Sequence, residues 1–312
     1  MTGFRTLDQA DVKGKRVLLR VDLNVPMQDG AVSDATRIER MAPTIIGIAD
    51  RGGMVILLSH LGRPKGPDPK DSLKPIAAAT ARILGRTVAF ADDCIGAKAE
   101  AAAKAMQPGD ILCLENTRFH AGEEKNDPAF AAALARLGDI WVNDAFSVSH
   151  RAHASTEGLG HILPAYAGPA MEAELAAFSR VLDAPQRPLA AIVGGAKVST
   201  KLVLLGNLIP RVNVLIIGGG MANTFLAAQG KDVGKSLCEH ELAGTARDIL
   251  LQAAAKSCEI VLPVDAVTAR KFEANAPSRT VSVDAVGADE MILDIGPRTI
   301  CLLYTSPSPR DS

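Results

Sequence analysis

The sequence has few aromatic residues and no paired cysteines. Aromatic side chains make up 4% of the 312 residues, against 47% hydrophobic residues overall. The core must therefore be aliphatic, which is typical of α/β proteins rather than β-sandwiches. The cysteines are odd in number, widely spaced and form no C-x-x-C pair: Cys94, Cys113, Cys238, Cys258 and Cys301. We expect neither a disulfide framework nor a zinc site, and interpret them as small buried hydrophobic residues.

Net charge and long apolar runs are also missing. With 34 lysines and arginines against 35 aspartates and glutamates, the formal net charge is -1, which argues against a nucleic-acid or anionic-membrane partner. No apolar run approaches the ~18 residues of a membrane span. Met1–Ala10 has neither the basic start nor the apolar core of a signal peptide. We therefore predict a cytoplasmic protein, and a chain of this length favours two domains.

Apolar runs that end in polar residues recur through the first half of the chain. Val17–Val21, Met54–Ser59, Ile111–Leu114 and Ile140–Val142 are typical of parallel strands buried on both faces, and helical patterns separate them. Right-handed βαβ crossovers bring the carboxyl ends of such strands to one edge of a sheet, so the polar residues that follow should meet there. These residues are Asp22, Asn24, Arg37, His60, Arg63, Arg118 and Arg151.

This group of side chains predicts a small anionic ligand. The planar fork of arginine binds phosphate and carboxylate through two parallel hydrogen bonds, and an aspartate and an asparagine suit the ligand's hydroxyl groups. Each arginine alone is equally well explained as a solvated loop residue, but their repetition at strand ends favours a polyanionic metabolite. Ser33 or Asp34 is predicted to cap a helix over Ala35–Ile48. Arg37 would then lie in its first turn, where the helix dipole does not favour a cation.

The pattern of the second half begins with one long helix, Ala170–Leu182, predicted to connect the domains. Beyond it, Leu189–Val193 and Val212–Ile217 are buried-type strands, each followed by glycines and a helical pattern. Glycines let a backbone approach a ligand closely, and the following helix N-terminus favours anions. Neither turn is a Walker A loop or a dinucleotide fingerprint, and each alone is equally well explained as a tight strand-to-helix turn. Glu259–Val264 and Met291–Asp294 are predicted as further strands.

Seven motifs stand in order along the chain: RVDLNVP, SHLGRP, LENTRF, NDAFSVSHRAH, GGAKVSTK, GGGMANTF and DIGP. Together they resemble the phosphoglycerate kinase family, in its bacterial form, from about Leu7 to Thr299. The resemblance implies an α/β fold of two doubly wound parallel-sheet domains joined by a hinge helix. It also implies reversible phosphoryl transfer between 1,3-bisphosphoglycerate and ADP, giving 3-phosphoglycerate and ATP in glycolysis. Mg²⁺ would accompany the nucleotide, and the protein would be a monomer with no nucleic-acid or membrane partner.

The resemblance assigns roles to the residues that match the family motifs. The 3-phosphoglycerate site would consist of Asp22, Asn24, Arg37, His60, Arg63, Arg118 and Arg151. The nucleotide site would consist of Gly195, Lys197, Lys201, Gly218, Gly219 and Gly220. The two lysines would attend the phosphates, and the last three glycines would line the adenine pocket. Arg37 and Lys197 are expected to be catalytic because this transfer depends on positioning and charge stabilisation.

The end of the sequence departs from the family. The family continues past DIGP to a nucleotide-contacting glutamate and a glycine-rich helix start whose aspartate holds Mg²⁺, and neither is present. Instead Cys301–Ser312 (CLLYTSPSPRDS) resembles a translated sequencing adapter. We therefore predict a substrate domain at 1–169, an interdomain helix and hinge at 170–187, a truncated nucleotide domain at 188–300 and a non-native tail at 301–312.

Such a fragment is expected to bind the acid without measurable kinase activity. Two other functions fit parts of the pattern. A non-catalytic metabolite-binding protein would also use arginine patches and glycine turns. A dinucleotide-dependent dehydrogenase would share the alternating strands and helices, but its glycine fingerprint is not found.

Overall fold

The computed structural model describes residues 3–182 and 185–305. The chain divides into two compact units, Met1–Ala177 and Phe178–Ser312, here called the first and second units. The boundary falls within the helix predicted to connect the domains. Each unit is an α/β structure, so the predicted fold class is confirmed.

A six-stranded parallel sheet forms the first unit, in the order β5-β6-β4-β1-β7-β8, and a short antiparallel hairpin pairs β2 with β3. The central position of β1 places the residues that follow it beside the loops after β4 and β7. The strands are β1 (Arg16–Arg20), β2 (Met27–Gln28), β3 (Ala31–Val32), β4 (Met54–Leu58), β5 (Ala89–Ala91), β6 (Ile111–Leu114), β7 (Ile140–Asn143) and β8 (Ala165–Ala167).

Burial on both faces of this sheet explains its nearly continuous apolar strands. Successive side chains of a strand point to opposite faces, and in β1 Leu18 joins one hydrophobic cluster while Val17 and Leu19 join the other. Helices cover the faces. They are α1 (Thr36–Asp50), α2 (Lys74–Leu84), α3 (Gly96–Lys104), α4 (Ala121–Glu124), α5 (Pro128–Ala135) and α6 (Pro169–Leu182).

The start of α1 differs from the prediction. Ala35 precedes the first helical residue and makes no side-chain cap, so neither Ser33 nor Asp34 is the N-cap residue. Asp34, the residue before this N-cap, still stabilises the helix start, because its Oδ1 accepts a hydrogen bond from Thr36 N at 2.9 Å. Arg37 is the second helical residue and lies in the first turn as expected.

Two separate three-stranded sheets make up the second unit. A parallel sheet runs β11-β10-β9, and an antiparallel sheet runs β13-β12-β14. The elements are β9 (Ala190–Gly194), α7 (Leu202–Leu208), β10 (Val214–Gly218), α8 (Gly220–Ala228), α9 (Ala243–Ala255), β11 (Glu259–Val261), β12 (Asp265–Ala269), β13 (Ser278–Ser282), β14 (Met291–Ile295) and α10 (Pro297–Thr305). The run Glu259–Val264 thus ends early as a strand, and the Met291 strand belongs to the antiparallel sheet rather than the parallel one.

Residues Cys301–Thr305 of the predicted tail lie in α10, and residues 306–312 lie outside the described residues. Among the described residues, no helix combines the length and the apolar character that crossing a bilayer requires.

Candidate active site

Asp22 is the centre of a group formed by three elements of the first unit. It follows β1, and its Oδ2 accepts hydrogen bonds from Arg37 Nη1 at 2.5 Å and from Ser147 Oγ at 2.6 Å. The Asp22 side chain is only 12% exposed, whereas that of Arg37 is 49% exposed. One side of the guanidinium is therefore fixed by the carboxylate, and the rest of the group remains open to an anion.

Asn24 and Arg118 meet at the backbone of Gly62, in the loop after β4. Asn24 Oδ1 accepts a hydrogen bond from Gly62 N at 3.0 Å, and Arg118 Nη1 donates to Gly62 O at 2.7 Å. Gly62 has a φ of 61°, a conformation that glycine adopts without steric cost. Arg118 is buried, and its Nε lies 3.2 Å from Glu124 Oε1. The loops after β1, β4 and β6 are thus joined into one rigid group.

His60 is a neutral residue in this structure, so it adds no positive charge to the arginines. It is 3% exposed, and its Nδ1 lies 3.0 Å from Arg20 Nη2. Burial disfavours the imidazolium, and Arg20 and nearby cations repel it, so the pKa of His60 falls to about 2. Because a guanidinium can only donate, Nδ1 is the acceptor and the imidazole proton is on Nε2.

Arg63 and Arg151 complete the set of predicted arginines. Arg63 is exposed and Arg151 half-buried, and neither guanidinium has a hydrogen-bond or ion-pair partner among the described residues. Both lie close enough to Arg118 that their charges add to the burial that lowers its pKa. Three guanidinium groups thus gather beside the Gly62 loop, and only that of Arg118 has a carboxylate partner among the described residues, an arrangement that attracts an anion.

Asp22 and Arg37 also line a cavity of about 450 Å³ in the first unit. Further side chains of its lining are Arg40, Ser147 and Glu174. The other predicted acid-binding residues are not part of this lining. They lie on the neighbouring loops, and the Asp22–Asn24 turn connects the two groups, because Asn24 N donates to Asp22 Oδ1 at 3.1 Å.

A buried network beneath the site was not predicted from the sequence. Arg20, the last residue of β1, is 1% exposed, and its Nε donates to Ser155 Oγ at 2.9 Å. Ser155 in turn donates to Glu123 through its backbone N at 3.0 Å and its hydroxyl at 2.5 Å. This network supports His60 through Arg20. The signal in the sequence was an arginine that interrupts an otherwise apolar strand.

Asp144 is a second buried acid that the sequence reading passed over. It is 2% exposed, and it accepts hydrogen bonds from Thr44 Oγ1 at 2.7 Å, Ala170 N at 2.8 Å and Met171 N at 3.1 Å. It therefore ties α1, which carries Arg37, to the first turn of α6. A Cβ on Gly168 would lie 2.4 Å from the Asp144 carboxyl carbon, so glycine is required there.

The second unit repeats this arrangement at the start of α10. Asp265 is 3% exposed and accepts hydrogen bonds from Arg298 N at 2.9 Å and Thr299 N at 2.8 Å. A Cβ on Gly296 would again lie 2.4 Å from the carboxyl carbon. Each unit thus begins one helix at a Gly-Pro pair held by a buried aspartate from a distant part of the chain.

The predicted nucleotide residues lie on two neighbouring turns of the second unit. Lys197 is exposed after β9, and Lys201 is half-buried immediately before α7. Their ammonium groups have no ion-pair partner among the described residues. Both cations are therefore available to an anionic ligand beside the start of a helix.

The glycines of these turns differ in how much space surrounds them. Gly219 has a φ of 69°, and a Cβ on it would lie 2.9 Å from Gly195 O. A Cβ on Gly220 would lie 3.0 Å from Ala196 O. Glycine is thus required at Gly219, and the packing of the β9 and β10 turns leaves little room for a side chain at Gly220. Gly218 is different, because a Cβ there would meet nothing within 4 Å, so the space beside it remains available to a ligand.

These turns do not form a metal site of the protein's own. Glu239 is the carboxylate seen in contact with them, and its two oxygens accept from Ser199 N at 3.0 Å and Ser199 Oγ at 2.6 Å. The hydrogen bonds from Ser199 are the main reason that the pKa of Glu239 is lowered. Mg²⁺ requires octahedral oxygen ligands, which this already occupied carboxylate does not supply. The oxygen atoms described at these turns therefore do not suit a Mg²⁺ ion bound by the protein alone.

Arginines gathered at strand ends in one α/β unit, and glycine turns with free lysines in the other, are both suited to binding phosphate groups, so the fold and the sites define a phosphate-binding α/β protein. Comparison with known proteins identifies the family. A phosphoglycerate kinase family profile matches residues 7–306. The phosphoglycerate kinase of Bradyrhizobium diazoefficiens is 64% identical over 303 residues, which are 97% of this chain and 76% of that protein. The enzyme of Rhodopseudomonas palustris is 66% identical over 297 residues, or 95% of this chain and 75% of the relative.

Solved structures agree with this result. Phosphoglycerate kinase from Coxiella burnetii has a TM-score of 0.82 and 41% identity, covering 96% of this chain and 76% of its own. The enzyme from Pyrococcus horikoshii OT3 has a TM-score of 0.80 and 29% identity, covering 95% and 76%. The chain belongs to the phosphoglycerate kinase family.

Proposed function

We propose that this chain carries the phosphoglycerate kinase sites for reversible phosphoryl transfer between 1,3-bisphosphoglycerate and ADP, giving 3-phosphoglycerate and ATP. The observation that carries the proposal is the set of guanidinium groups at the strand ends of the first unit. Arg37 is oriented by Asp22 and still half exposed, and Arg63 and Arg151 have no partner of their own. A ligand with both carboxylate and phosphate groups satisfies all of them.

The acid is held by charge on one side and by neutral donors on the other. Arg37, Arg63 and Arg151 bind its anionic groups. His60 contributes Nε2–H as an uncharged donor, since its Nδ1 is occupied by Arg20. Asn24 and Arg118 act partly through Gly62, whose backbone they hold in place.

The phosphoryl transfer needs no general base. Its nucleophile is a carboxylate or a nucleotide phosphate oxygen, and both are already ionised. Catalysis then depends on positioning and on stabilising the charge of the transferring group. Arg37 on the acid side and Lys197 on the nucleotide side have these roles. Both are exposed enough to reach a ligand: Arg37 is half exposed despite its ion pair with Asp22, and Lys197 has no ion-pair partner among the described residues.

The nucleotide binds at the β9 and β10 turns. Lys197 and Lys201 attend its phosphates, with Gly195 in the same turn, and the open space at Gly218 receives the adenine side, with Gly219 and Gly220 shaping the turn. Mg²⁺ reaches the site as the ion of the nucleotide, because the donors described at these turns do not hold it themselves. The absence of measurable turnover in this 312-residue chain remains a prediction, as does the adapter origin of its last residues.

The first test is calorimetric titration of the chain with 3-phosphoglycerate. We expect saturable binding that weakens as salt rises, because much of the attraction is ionic. Replacing Arg37→Ala should weaken binding about tenfold or more, since it removes one charge-assisted contact and leaves the Asp22 carboxylate without its positively charged partner. Arg82→Ala is the matched control, because it removes another exposed positive charge, from α2, at a residue outside the site.

Binding that is absent, or that Arg37→Ala and Arg82→Ala weaken equally, would remove the acid site from the first unit. Titration with MgADP and a coupled assay with ATP and 3-phosphoglycerate test the second unit separately. Tight MgADP binding or turnover above background would contradict the prediction that this chain lacks activity. It would at the same time support the assignment of the nucleotide site.

A further inference from the structure

A second cluster of reactive side chains lies on the β5 side of the first unit, away from the arginines. Asp93 and Cys94 follow β5, and His120 follows the turn Thr117–Phe119 after β6. Since β5 and β6 pair in parallel, with Ala91 opposite Leu114, their loops emerge side by side. Asp93 and His120 are 27 positions apart in the sequence, so no local motif marks the cluster.

The donor atoms of these three residues form a compact group. The His120 ring nitrogen, the Cys94 sulfur and an Asp93 carboxylate oxygen all lie within 4.8 Å of one another. His120 Nε2 and Asp93 Oδ1 are 2.7 Å apart. Asp93 Oδ1 also accepts a hydrogen bond from Cys94 N at 2.7 Å, whereas Asp93 Oδ2 has no partner among the described residues. One carboxylate oxygen is thus structural and the other is available.

The surroundings of the cluster favour a cation. Asp93 and His120 line a cavity of about 520 Å³ that provides access from solvent. The same cavity is lined by the carboxylates of Asp68, Asp92 and Glu115 and by one ammonium group, that of Lys74. Cys94 is fully buried behind this lining. Lys70 pairs with Asp68 at 3.1 Å, but the four acidic residues of the lining still outnumber the two lysines, and the Cys94 sulfur lies in the same group as the Asp93 and His120 donor atoms.

We propose that Cys94 Sγ, His120 Nε2 and a carboxylate oxygen of Asp93 bind a divalent transition-metal ion of the zinc class. Imidazole nitrogen, thiolate sulfur and one carboxylate oxygen are ligands that Zn²⁺ and Co²⁺ prefer, whereas Mg²⁺ and Ca²⁺ prefer oxygen alone. Three protein ligands leave the fourth tetrahedral position facing the cavity, where water or an anionic ligand can bind.

Metal binding requires a lone pair on each ligand atom. The Cys94 thiol releases its proton to solvent as the sulfur–metal bond forms. His120 binds the metal through the lone pair of Nε2 and carries its ring proton on Nδ1. The hydrogen bond between His120 and Asp93 is then replaced by two bonds to the same ion. Since the folded first unit provides all three ligands together, metal binding should stabilise it.

Cobalt titration of the metal-free chain tests this proposal, because Co²⁺ bound to a thiolate gives a near-ultraviolet charge-transfer absorption and tetrahedral Co²⁺ gives visible bands. We expect both signals, and displacement of Co²⁺ by Zn²⁺. Cys94→Ser should abolish the charge-transfer band, and His120→Asn should weaken Co²⁺ binding about tenfold or more. Cys113→Ser is the matched control, because Cys113 is an equally buried thiol on β6 outside the cluster.

The proposal is overturned if saturating Co²⁺ gives no thiolate band, if Cys94→Ser keeps the band, or if Cys113→Ser loses it equally. Fluorescence of Trp141, in β7 of the same unit, checks that each variant is folded. Should Cys94→Ser fail to fold, the affinities of His120→Asn and Asp93→Asn decide the outcome. Binding of 3-phosphoglycerate is measured independently, so failure of the metal site and failure of the acid site are distinguishable.

Discussion

Replacement of Asp144 by alanine is the perturbation that the structure of the first unit predicts most sharply. Asp144 accepts hydrogen bonds from the Thr44 hydroxyl and from the backbone N–H groups of Ala170 and Met171. Alanine removes all three acceptor contacts and leaves the carboxylate space empty. We expect the first unit to lose stability because two of the donors belong to Thr44 and Met171, which are only 5% and 6% exposed.

The size of the loss follows from those two donors. A buried donor without a partner costs about 1–3 kcal/mol, so Thr44 and Met171 together should cost about 3 kcal/mol. At an m-value of about 2 kcal/mol per molar urea, the midpoint of unfolding should fall by about 1.5 M. Asp144→Asn keeps an oxygen for the Ala170 and Met171 N–H groups and should lose less.

Tryptophan fluorescence measures this change in the first unit alone. The chain has one tryptophan, Trp141, and it lies in β7, the strand that leads to Asp144. Asp265→Ala is the matched control, because it removes the equivalent acceptor from the second unit. We expect Asp144→Ala to shift the Trp141 urea midpoint and Asp265→Ala to leave it in place. An unshifted midpoint in Asp144→Ala, or an equal shift in both variants, would refute the reasoning.

Two further predictions concern charge and backbone conformation. His60 should remain neutral down to acid pH, because its pKa is lowered from 6.5 to about 2 in the folded chain. As pH falls below about 6.5, the unfolded chain takes up a proton on His60 and the folded chain does not. The free energy of unfolding should therefore fall by about 1.4 kcal/mol per pH unit in this range. NMR titration of the His60 ring checks this, and a midpoint near 6.5 would show that the imidazole is not desolvated. Gly219→Ala should lower the thermal midpoint of the second unit, because the new Cβ would lie 2.9 Å from Gly195 O at a φ of 69°. Gly218→Ala should leave the thermal midpoint unchanged, because its new Cβ meets open space. Equal midpoints for the two variants in circular-dichroism melts would contradict the packing argument.

The sequence by itself determined the parallel sheet of the first unit and the positions of the residues at its edge. Val17 and Leu19 face one cluster and Leu18 the other, so the strand has to be apolar on both faces, and such a run is readable without a structure. The placement of Asp22 and Arg37 together follows from the same logic. Parallel strands linked by right-handed crossovers have their carboxyl ends at one edge whatever the intervening sequence.

The antiparallel sheet of the second unit was decided only by tertiary structure. Ser278–Ser282 is largely exposed and has too few apolar residues to show a period. Met291–Ile295 has an apolar run, but the run does not say which strand it will pair with. Its pairing with Asp265–Ala269 depends on contacts between distant segments, and a local pattern does not encode them.

Charge state and ligand grouping were also decided by the fold. The sequence does not give the charge of His60, and burial beside Arg20 makes it neutral. Cys94 resembles an isolated hydrophobic residue, but the pairing of β5 with β6 brings His120 to it. The energy of a charge or a metal ligand depends on the neighbours within a few ångströms, and those neighbours come from anywhere along the chain. Hydrophobic periodicity depends only on residues close together in the sequence. The strands could therefore be predicted from the sequence, whereas charge states and metal ligands depend on contacts between distant segments and could not.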